Sequence, residues 1–272
     1  MDQPPAITPL QRSIKGWVIL ATNTGVGKTW VGCGLIAALR AHGACVRVRK
    51  PVETGCQAPL PANKTEHPER IPADATALWQ AAGQIEPLSD VCPWRFSAAI
   101  AAPQAATREG KTLYFAADIA PHLPAPEAAH ALGHPPEYWI IEGAGGVLSP
   151  LTEDGLNVEL ARYTALPVLL IAPDTLGTQS ALFCAIEALH QRGIVLAGIV
   201  LNAGAVPLKA VAPLALDNQA ALQTWLPRLM PNTPPPPIFK VRNPDDLRQL
   251  ADHLTTNEFA PPRALVNLGL TY

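Results

Sequence analysis

The stretch ATNTGVGKTW could bind a phosphate group. Gly25 and Gly27 lack a Cβ, so the backbone around them can curl and turn several N–H groups toward an anion. Lys28 adds a positive charge for the outer phosphates, and the hydroxyl of Thr29 is placed to ligate Mg²⁺. The spacing departs from the common G-x-x-x-x-G-K-[ST] pattern, because Thr22 occupies the first glycine position. We therefore predict a variant of the phosphate-binding loop.

The segments on either side of this loop favour that interpretation. The apolar run WVIL precedes it and predicts a buried strand. The following VGCGLIAALR predicts a helix whose buried face carries Val31, Leu35, Ala38 and Leu39. A helix that starts at the loop directs the positive end of its dipole toward the anion. A dinucleotide-binding G-x-G-x-x-G pattern is excluded, because Trp30 occupies its third glycine position.

The order of predicted elements defines the fold class. Apolar runs predict strands in WVILAT, CVRVRK, YWIIEG, PVLLIAP, IVLAGIVLN and IFKV. Helical patterns fall between or after them in DATALWQAAG, NVELARYT, TQSALFCAIEALHQRG, NQAALQTWLPRL and DDLRQLADHL. This alternation predicts an α/β, P-loop NTPase-like fold, in which helices cover both faces of a mostly parallel sheet. Ligands in such folds bind at the carboxyl ends of the strands.

Three polar residues stand at predicted strand ends, namely Lys50, Glu142 and Asn202. Each has a plain structural interpretation as a solvated terminus or a turn residue. Asp74, which precedes a helical pattern, could be an N-cap. Mg²⁺ near Thr29 would however need hard oxygen ligands, and Glu142 at a neighbouring strand end could supply one. The spacing leaves both interpretations open.

Composition narrows the function classes. The chain has 272 residues, of which 48% are hydrophobic, and a formal net charge of −2. This size suits one α/β domain, and the near-neutral charge gives no broad support for nucleic-acid binding. No apolar run approaches the ~20 residues of a membrane span, and the N-terminus lacks the apolar core of a signal peptide. We expect a cytoplasmic protein.

Cysteine and histidine give no strong sign of a disulfide or a zinc site. The five cysteines are scattered and contain no C-x-x-C pair, which predicts reduced and mostly buried thiols. His130 and His134 have a metal-like i, i+4 spacing. Gly133 lies between them and prolines follow at once, so we predict a surface loop there. The polar residues 59–70 are predicted to be a mobile insertion.

Taken together and in order, the motifs resemble dethiobiotin synthetases. The segments are ATNTGVGKT, RKPVETG, ADATAL, EGAGGVLSPL, DTLGTQSA and GIVLN. This family belongs to a wider group of P-loop biotin and cobyrinate amidation proteins. The resemblance covers roughly residues 16–250 and predicts a single ATP-binding synthetase domain over residues 16–254. Residues 1–15 would then be an N-terminal extension and residues 255–272 a C-terminal tail.

The resemblance implies a role for each matching residue. It gives Lys50 and Lys28 as catalytic, Lys50, Thr54, Val147 and Leu148 as substrate-binding, and Thr29, Asp74 and Glu142 as Mg²⁺ ligands. It gives as ATP-binding Thr24, Gly25, Val26, Gly27, Lys28, Thr29, Trp30, Asp74, Glu142, Gly143, Ala144, Gly145, Asn202, Ile238, Phe239, Lys240 and Asp245. Asn202 would contact adenine, and the segment IFKVRNPDD aligns by its Asn-Pro with a late base-binding loop.

The implied reaction needs no nucleophilic side chain. An amine of 7,8-diaminononanoate would take up CO₂ as a carbamate, which attacks the γ-phosphate of ATP, and the second amine would then close the ureido ring. Small molecules would be the only substrates, without nucleic acid or membrane, and the family implies a homodimer with contacts near GGVLSPL. Lys50, at a strand end, would be replaceable without loss of fold.

Three positions depart from the family pattern. Ala21 replaces the glycine that usually opens the loop, Asn23 stands where many relatives carry aspartate, and Ala203 follows Asn202 where an acidic residue is common. None of these changes removes a group that the chemistry needs.

Two other functions are weighed against this one. A corrinoid amidase would normally carry a glutaminase domain, for which the sequence after DDLRQLADHL leaves no room. A partition-type ATPase would usually carry a second lysine early in the loop, and TNTGVGKT has none there.

Overall fold

Eight strands and eight α-helices occupy the part of the chain that the computed structural model describes, residues 14–57, 69–125, 137–204 and 217–256. The strands are β1 (Lys15–Ala21), β2 (Cys45–Arg49), β3 (Val52–Thr54), β4 (Trp94–Phe96), β5 (Glu137–Glu142), β6 (Val168–Pro173), β7 (Leu196–Asn202) and β8 (Ile238–Val241). The helices are α1 (Lys28–Ala41), α2 (Ala73–Ala81), α3 (Leu88–Val91), α4 (Ala102–Arg108), α5 (Val158–Thr164), α6 (Thr178–His190), α7 (Asn218–Leu229) and α8 (Pro244–Thr256). A π-helical turn, Phe115–Ile119, and a 3₁₀ turn, Ala120–His122, precede β5.

The main sheet has six strands in the order β2-β5-β1-β6-β7-β8, and its neighbouring strands run parallel. The predicted parallel sheet is therefore confirmed. β3 and β4 form a separate two-stranded parallel sheet that the sequence patterns did not predict. They are only three residues each, too short to show an apolar period.

Helices pack on both faces of the main sheet, as predicted. Along β1, Leu20 faces a core shared with α5, α6 and α7, whereas Ile19 faces a core shared with α1, α2 and α8. Both side chains are almost completely buried, with 1% and 0% exposure. Because successive strand side chains point to opposite faces, one continuous apolar run serves both cores.

The predicted buried face of α1 is confirmed. Val31, Leu35, Ala38 and Leu39 all lie in the core between this helix and the sheet. The amphipathic helix is held in place mainly by that packing, because isolated helices of this length are marginal in water. Its packing fixes where the loop before it ends.

Two local expectations differ from the structure. α2 begins at Ala73, so Asp74 lies inside the first turn and is not the N-cap. α6 ends at His190, three residues before the end of the predicted helical pattern, and Gly193 beyond it has a positive φ of 65°. A positive φ is unfavourable for most residues other than glycine, so the helix ends before it.

All five cysteines are free, and Cys56 and Cys92 are buried. Cys184 is exposed, so the expectation of mostly buried thiols holds only in part. His130, His134 and residues 58–68 lie outside the described residues, as do residues 1–13 and 257–272. Within the described ranges, no helix is long and apolar enough to cross a membrane.

Candidate active site

The predicted phosphate-binding loop lies at the carboxyl end of β1. Gly25 and Gly27 have φ values of +74° and +93°, which are strained for residues that carry a Cβ. Gly27 is the N-cap of α1 and makes no side-chain cap. The first N–H groups of the helix therefore remain available to an anion.

Lys28 joins this loop to the glycine-rich turn after β5. Its Nζ donates to the carbonyl oxygens of Asn23 at 3.3 Å and Gly145 at 3.0 Å. Burial lowers the pKa of Lys28 to about 8, and the nearby positive charge of Lys50 acts in the same direction. A bound phosphate would supply the negative charge that favours the protonated ammonium.

Glu142, at the end of β5, connects three elements through one oxygen. Its Oε1 accepts hydrogen bonds from Thr29 Oγ1 at 2.9 Å and from Lys50 Nζ at 2.5 Å. Asp74 Oδ2 lies 3.5 Å from the same Nζ. Glu142 is 1% exposed, and its Oε2 is buried without a hydrogen-bond partner among the residues that the structure describes.

Lys50 is buried, with 3% exposure, so its interpretation as a solvated strand end is wrong. The expectation that it could be replaced without loss of fold is not supported either, because it neutralises the buried Glu142. Burial alone would lower the pKa of Lys50, but the carboxylates of Glu142 and Asp74 outweigh it and raise that pKa. The ammonium therefore stays protonated.

The turn after β5 is held by Asn157, which the sequence patterns assigned only to a helix. Its Oδ1 accepts from Ala144 N at 2.8 Å, and its Nδ2 donates to the carbonyl oxygens of Ala144 and Gly146. Ser149 Oγ accepts from Gly146 N at 2.8 Å. A Cβ at Gly143 would come within 2.8 Å of Asn157 Oδ1, so the close approach requires glycine.

The phosphate-binding loop, Lys28, Lys50 and the turn after β5 line one cavity of about 580 Å³. Predicted site residues that line it are Thr24, Gly25, Gly27, Lys28, Thr29, Lys50, Thr54, Asp74, Ala144 and Gly145. Lining residues that the sequence patterns missed are Glu53, Ala99, Ile100, Ala101, Ala102, Ser149 and Pro150. The cavity lining therefore combines charged and polar side chains with apolar ones.

Apart from the base-binding residues, six predicted residues do not line this cavity, namely Val26, Trp30, Glu142, Gly143, Val147 and Leu148. Val26 and Val147 are buried in the protein core, at 7% and 3% exposure. Trp30 and Leu148 are exposed, at 40% and 44%. Val147 packs with the core of its own chain, which leaves Leu148 as the accessible side chain of the two.

The predicted base-binding residues lie apart from the cavity lining. Asn202 is 1% exposed, and its amide donates to Val26 O at 3.0 Å and accepts from Gly204 N at 3.1 Å. Lys240, which follows Ile238 and Phe239 in β8, pairs with Asp174 at 2.6 Å. These polar groups are engaged with each other and with the backbone.

The Asn-Pro of the late segment has a structural explanation of its own. Asn243 Oδ1 accepts from the N–H groups of Asp245 and Asp246, at 2.9 and 3.2 Å. It thereby caps α8, whose first residue is Pro244. Asp245 forms an exposed ion pair with Arg248, so its predicted nucleotide contact has no support from its position.

The oxygens around Glu142 could hold Mg²⁺. Across the described residues, no three His, Cys, Asp or Glu side chains form a metal-binding group. Mg²⁺ is however commonly held by one or two carboxylates together with phosphate oxygens and water. The unpartnered Oε2 of Glu142, the hydroxyl of Thr29 and the half-exposed carboxylate of Asp74 fit that arrangement.

A strand, a positive-φ glycine loop with Lys-Thr, and a carboxylate at the next strand end define a P-loop nucleotide-binding protein. A profile of the family described as AAA domain matches residues 15–231. The ATP-dependent dethiobiotin synthetase BioD of Anaeromyxobacter dehalogenans is 37% identical over 222 residues, 79% of this chain and 92% of that protein. The ATP-dependent dethiobiotin synthetase BioD of Caulobacter vibrioides is 36% identical over 70% of this chain and 80% of that protein.

The chain belongs to the ATP-dependent dethiobiotin synthetase family. A solved nucleotide-binding protein from Archaeoglobus fulgidus, in complex with ADP, is 14% identical. The TM-score between the two structures is 0.38, with 91% of this chain and 90% of that chain covered.

Proposed function

We propose that this protein closes the ureido ring of dethiobiotin from 7,8-diaminononanoate, CO₂ and Mg-ATP. The observation that carries the proposal is the buried ammonium of Lys50 at the head of the cavity, beside the phosphate-binding loop. An amine of the substrate adds to CO₂ and loses a proton, which gives a carbamate. A carbamate oxygen attacks the γ-phosphorus and releases ADP. The second amine attacks the carbamate carbon, and phosphate leaves as the ring closes.

In this scheme Lys50 is charged throughout, whereas the charge of Lys28 depends on whether phosphate is bound. Phosphoryl transfer depends mainly on positioning and on stabilisation of the charge on the transferred group. Lys50 stays protonated, because Glu142 and Asp74 raise its pKa, so it orients and stabilises the carbamate and γ-phosphate oxygens and does not act as a base. Lys28, whose pKa burial lowers to about 8, becomes fully charged when phosphates bind next to it.

Thr29, Glu142 and Asp74 would hold the magnesium ion. Its contribution when bound is to neutralise phosphate charge. Glu142 Oε1 meanwhile keeps Lys50 in place, since Oε1 and Oε2 can serve different partners at once. The Glu142 side chain would thus orient Lys50 through Oε1 and ligate the metal through Oε2.

The apolar lining residues of the cavity suit the aliphatic chain of the diamine. Thr54 lines the same cavity as Lys50 and offers a hydroxyl, while Ala99, Ile100 and Pro150 offer apolar contacts. We also propose a homodimer, with Leu148 as a contact residue because it is exposed. The substrates are small molecules, without nucleic acid or membrane, and a cytoplasmic location fits this proposal.

The test is phosphate release from Mg-ATP by purified protein, with and without 7,8-diaminononanoate and bicarbonate. We expect release that requires both additions, and a product whose mass equals that of dethiobiotin. Phosphate release that does not depend on the diamine would contradict the proposal. Amidation of a corrinoid carboxylate and a partner-dependent ATPase activity would then be tested. Omission of Mg²⁺, followed by its addition, tests the metal requirement in the same assay.

A further inference from the structure

Glu53 is a buried carboxylate whose part in the site none of the motifs explains. It lies in the middle of β3, is 6% exposed, and lines the cavity. Its Oε1 accepts from Asp74 N at 3.0 Å, and its Oε2 accepts from Ala75 N at 2.8 Å. Both oxygens are thus committed to the first turn of α2.

α2 depends on this contact because it has no cap of its own. Pro72 precedes the helix and supplies no side-chain acceptor. The first N–H groups of a helix need partners, and a carboxylate is a favourable one because it also opposes the positive end of the helix dipole. Glu53, which lies in β3, therefore caps α2.

The cap links the two sides of the reaction centre. Glu53 follows Lys50 by three residues, and the residue whose N–H it binds, Asp74, carries the carboxylate 3.5 Å from Lys50 Nζ. The side chain of Asp74 is 51% exposed, so little else fixes it. A shift of α2 would move this carboxylate away from Lys50 and from the predicted magnesium ion.

We propose that Glu53 is a positioning residue, which sets the place of Asp74 relative to Lys50 by holding the first turn of α2. This inference rests on the proposed function for its role in turnover. Its geometric part, the dependence of α2 on Glu53, applies to any ligand that the cavity binds.

The test is a double-mutant cycle of Glu53→Gln and Asp74→Asn. Glutamine keeps one acceptor oxygen but presents an NH₂ group to the second backbone N–H. We expect Glu53→Gln to lower kcat and raise the Mg²⁺ requirement by about 10- to 100-fold, as for other residues that orient metal ligands. In the Asp74→Asn background the same change should cost less than about 3-fold, because the side chain that it positions is already lost. Multiplicative losses would overturn the proposal.

Glu86→Gln is the matched control. Glu86 is also a buried carboxylate, with 7% side-chain exposure, but it binds Arg47 and Arg49 at the edge strand β2. We expect it to lower the melting temperature without changing kcat or the Mg²⁺ requirement. A similar kinetic loss from Glu86→Gln would mean that the effect of Glu53 is a general consequence of lost stability.

A second measurement does not need turnover. Hydrogen exchange of the amides in residues 73–78 should accelerate in Glu53→Gln and stay unchanged in Glu86→Gln. If the wild-type protein shows no diamine-dependent phosphate release, the proposed function fails, and the cycle is then measured on Mg-ATP affinity. If Glu53→Gln does not fold, Glu53→Asp, which is shorter by one methylene, replaces it. Unchanged exchange in a folded Glu53 variant would contradict the inference.

Discussion

The two ends of the predicted nucleotide site differ in whether their polar groups already have hydrogen-bond or ion-pair partners. At the phosphate end, Glu142 keeps one oxygen without a partner, Lys28 has a lowered pKa, and the start of α1 has no side-chain cap. At the base end, Asn202 is bonded to two backbone groups, and Lys240 is paired with Asp174. The phosphate end therefore has polar groups that lack hydrogen-bond partners among the described residues, whereas Asn202 and Lys240 at the base end already have partners.

This difference indicates where binding free energy is available. A buried polar atom without a partner costs stability, and a ligand that supplies the partner recovers that cost. The phosphate end therefore gains when Mg-ATP binds. Asn202 and Lys240 at the base end already have partners, so a base contact there would recover no such cost and would add less affinity.

The largest expected effect concerns Lys50. Lys50→Ala should lower kcat by about 10²- to 10³-fold, because it removes a fixed cation from the transferring phosphoryl group. It should also cost about 3–5 kcal/mol of stability, because it leaves the buried Glu142 charge uncompensated. Steady-state kinetics and urea unfolding measure the two effects. The double variant Lys50→Met with Glu142→Gln should recover stability but not activity, and recovery of both would remove Lys50 from the mechanism.

A smaller effect is expected for the metal-site oxygens. Thr29→Val and Glu142→Ala should raise the Mg²⁺ concentration for half-maximal activity by about 10- to 100-fold. Thr29→Ser, which keeps the hydroxyl, is the matched control and should stay close to wild type. The measurement is phosphate release over a Mg²⁺ titration at saturating ATP. An unchanged Mg²⁺ dependence in both variants would show that the metal binds elsewhere.

The lowered pKa of Lys28 predicts a pH effect on binding. Free Lys28 has a pKa of about 8 and bound phosphates should raise it, so ATP binding takes up a proton above that pH. Uptake should be close to one proton at about pH 9 and near zero at about pH 7, with affinity about tenfold weaker at the higher pH. Titration calorimetry in buffers of different ionisation enthalpy measures the uptake. Equal uptake at both pH values would show that Lys28 is already fully charged.

The smallest effect is expected at the base end. Asn202→Ala removes the hydrogen bond to Val26 O in the phosphate-binding loop, so we expect ATP and GTP affinity to fall by the same factor, about fivefold. Asp245→Ala, an exposed helix position, is the control and should change neither affinity by more than about twofold. A loss confined to ATP would place adenine against Asn202, as the family resemblance implies, and would weaken the contrast between the two ends.

The sequence predicted that the glycine loop, Lys50 and Glu142 stand at strand ends, because contiguous motifs code for these residues. A glycine loop followed by Lys28 and Thr29 has one dominant physical use, and the strand ends at Lys50 and Glu142 follow from apolar runs. The sheet order, with β5 between β1 and β2, could not be predicted by those patterns, since it depends on contacts between distant segments.

Residues that act through the backbone were missed for a related reason. Glu53 binds N–H groups of α2 across 21 and 22 residues of chain, and Asn157 binds a turn 11 and 13 residues away. Acceptors of backbone N–H groups have no required spacing, so no pattern marks them. Asn243-Pro244 shows that a pattern can also have two explanations. The same two residues are typical of a helix cap, as at α8, and of the base-binding loop that the resemblance implies.

The place of β5 in the sheet has a consequence for how the protein is made. β5 is inserted between β1 and β2, although it follows both along the chain, and it ends in Glu142. During synthesis the phosphate-binding loop and Lys50 therefore emerge before β5. Until then, the edges of β1 and β2 that pair with β5 stay unpaired. A partly synthesised chain that lacks β5 contains Lys28, Lys50 and Asp74 but not Glu142, so the phosphate site is incomplete until β5 has been made.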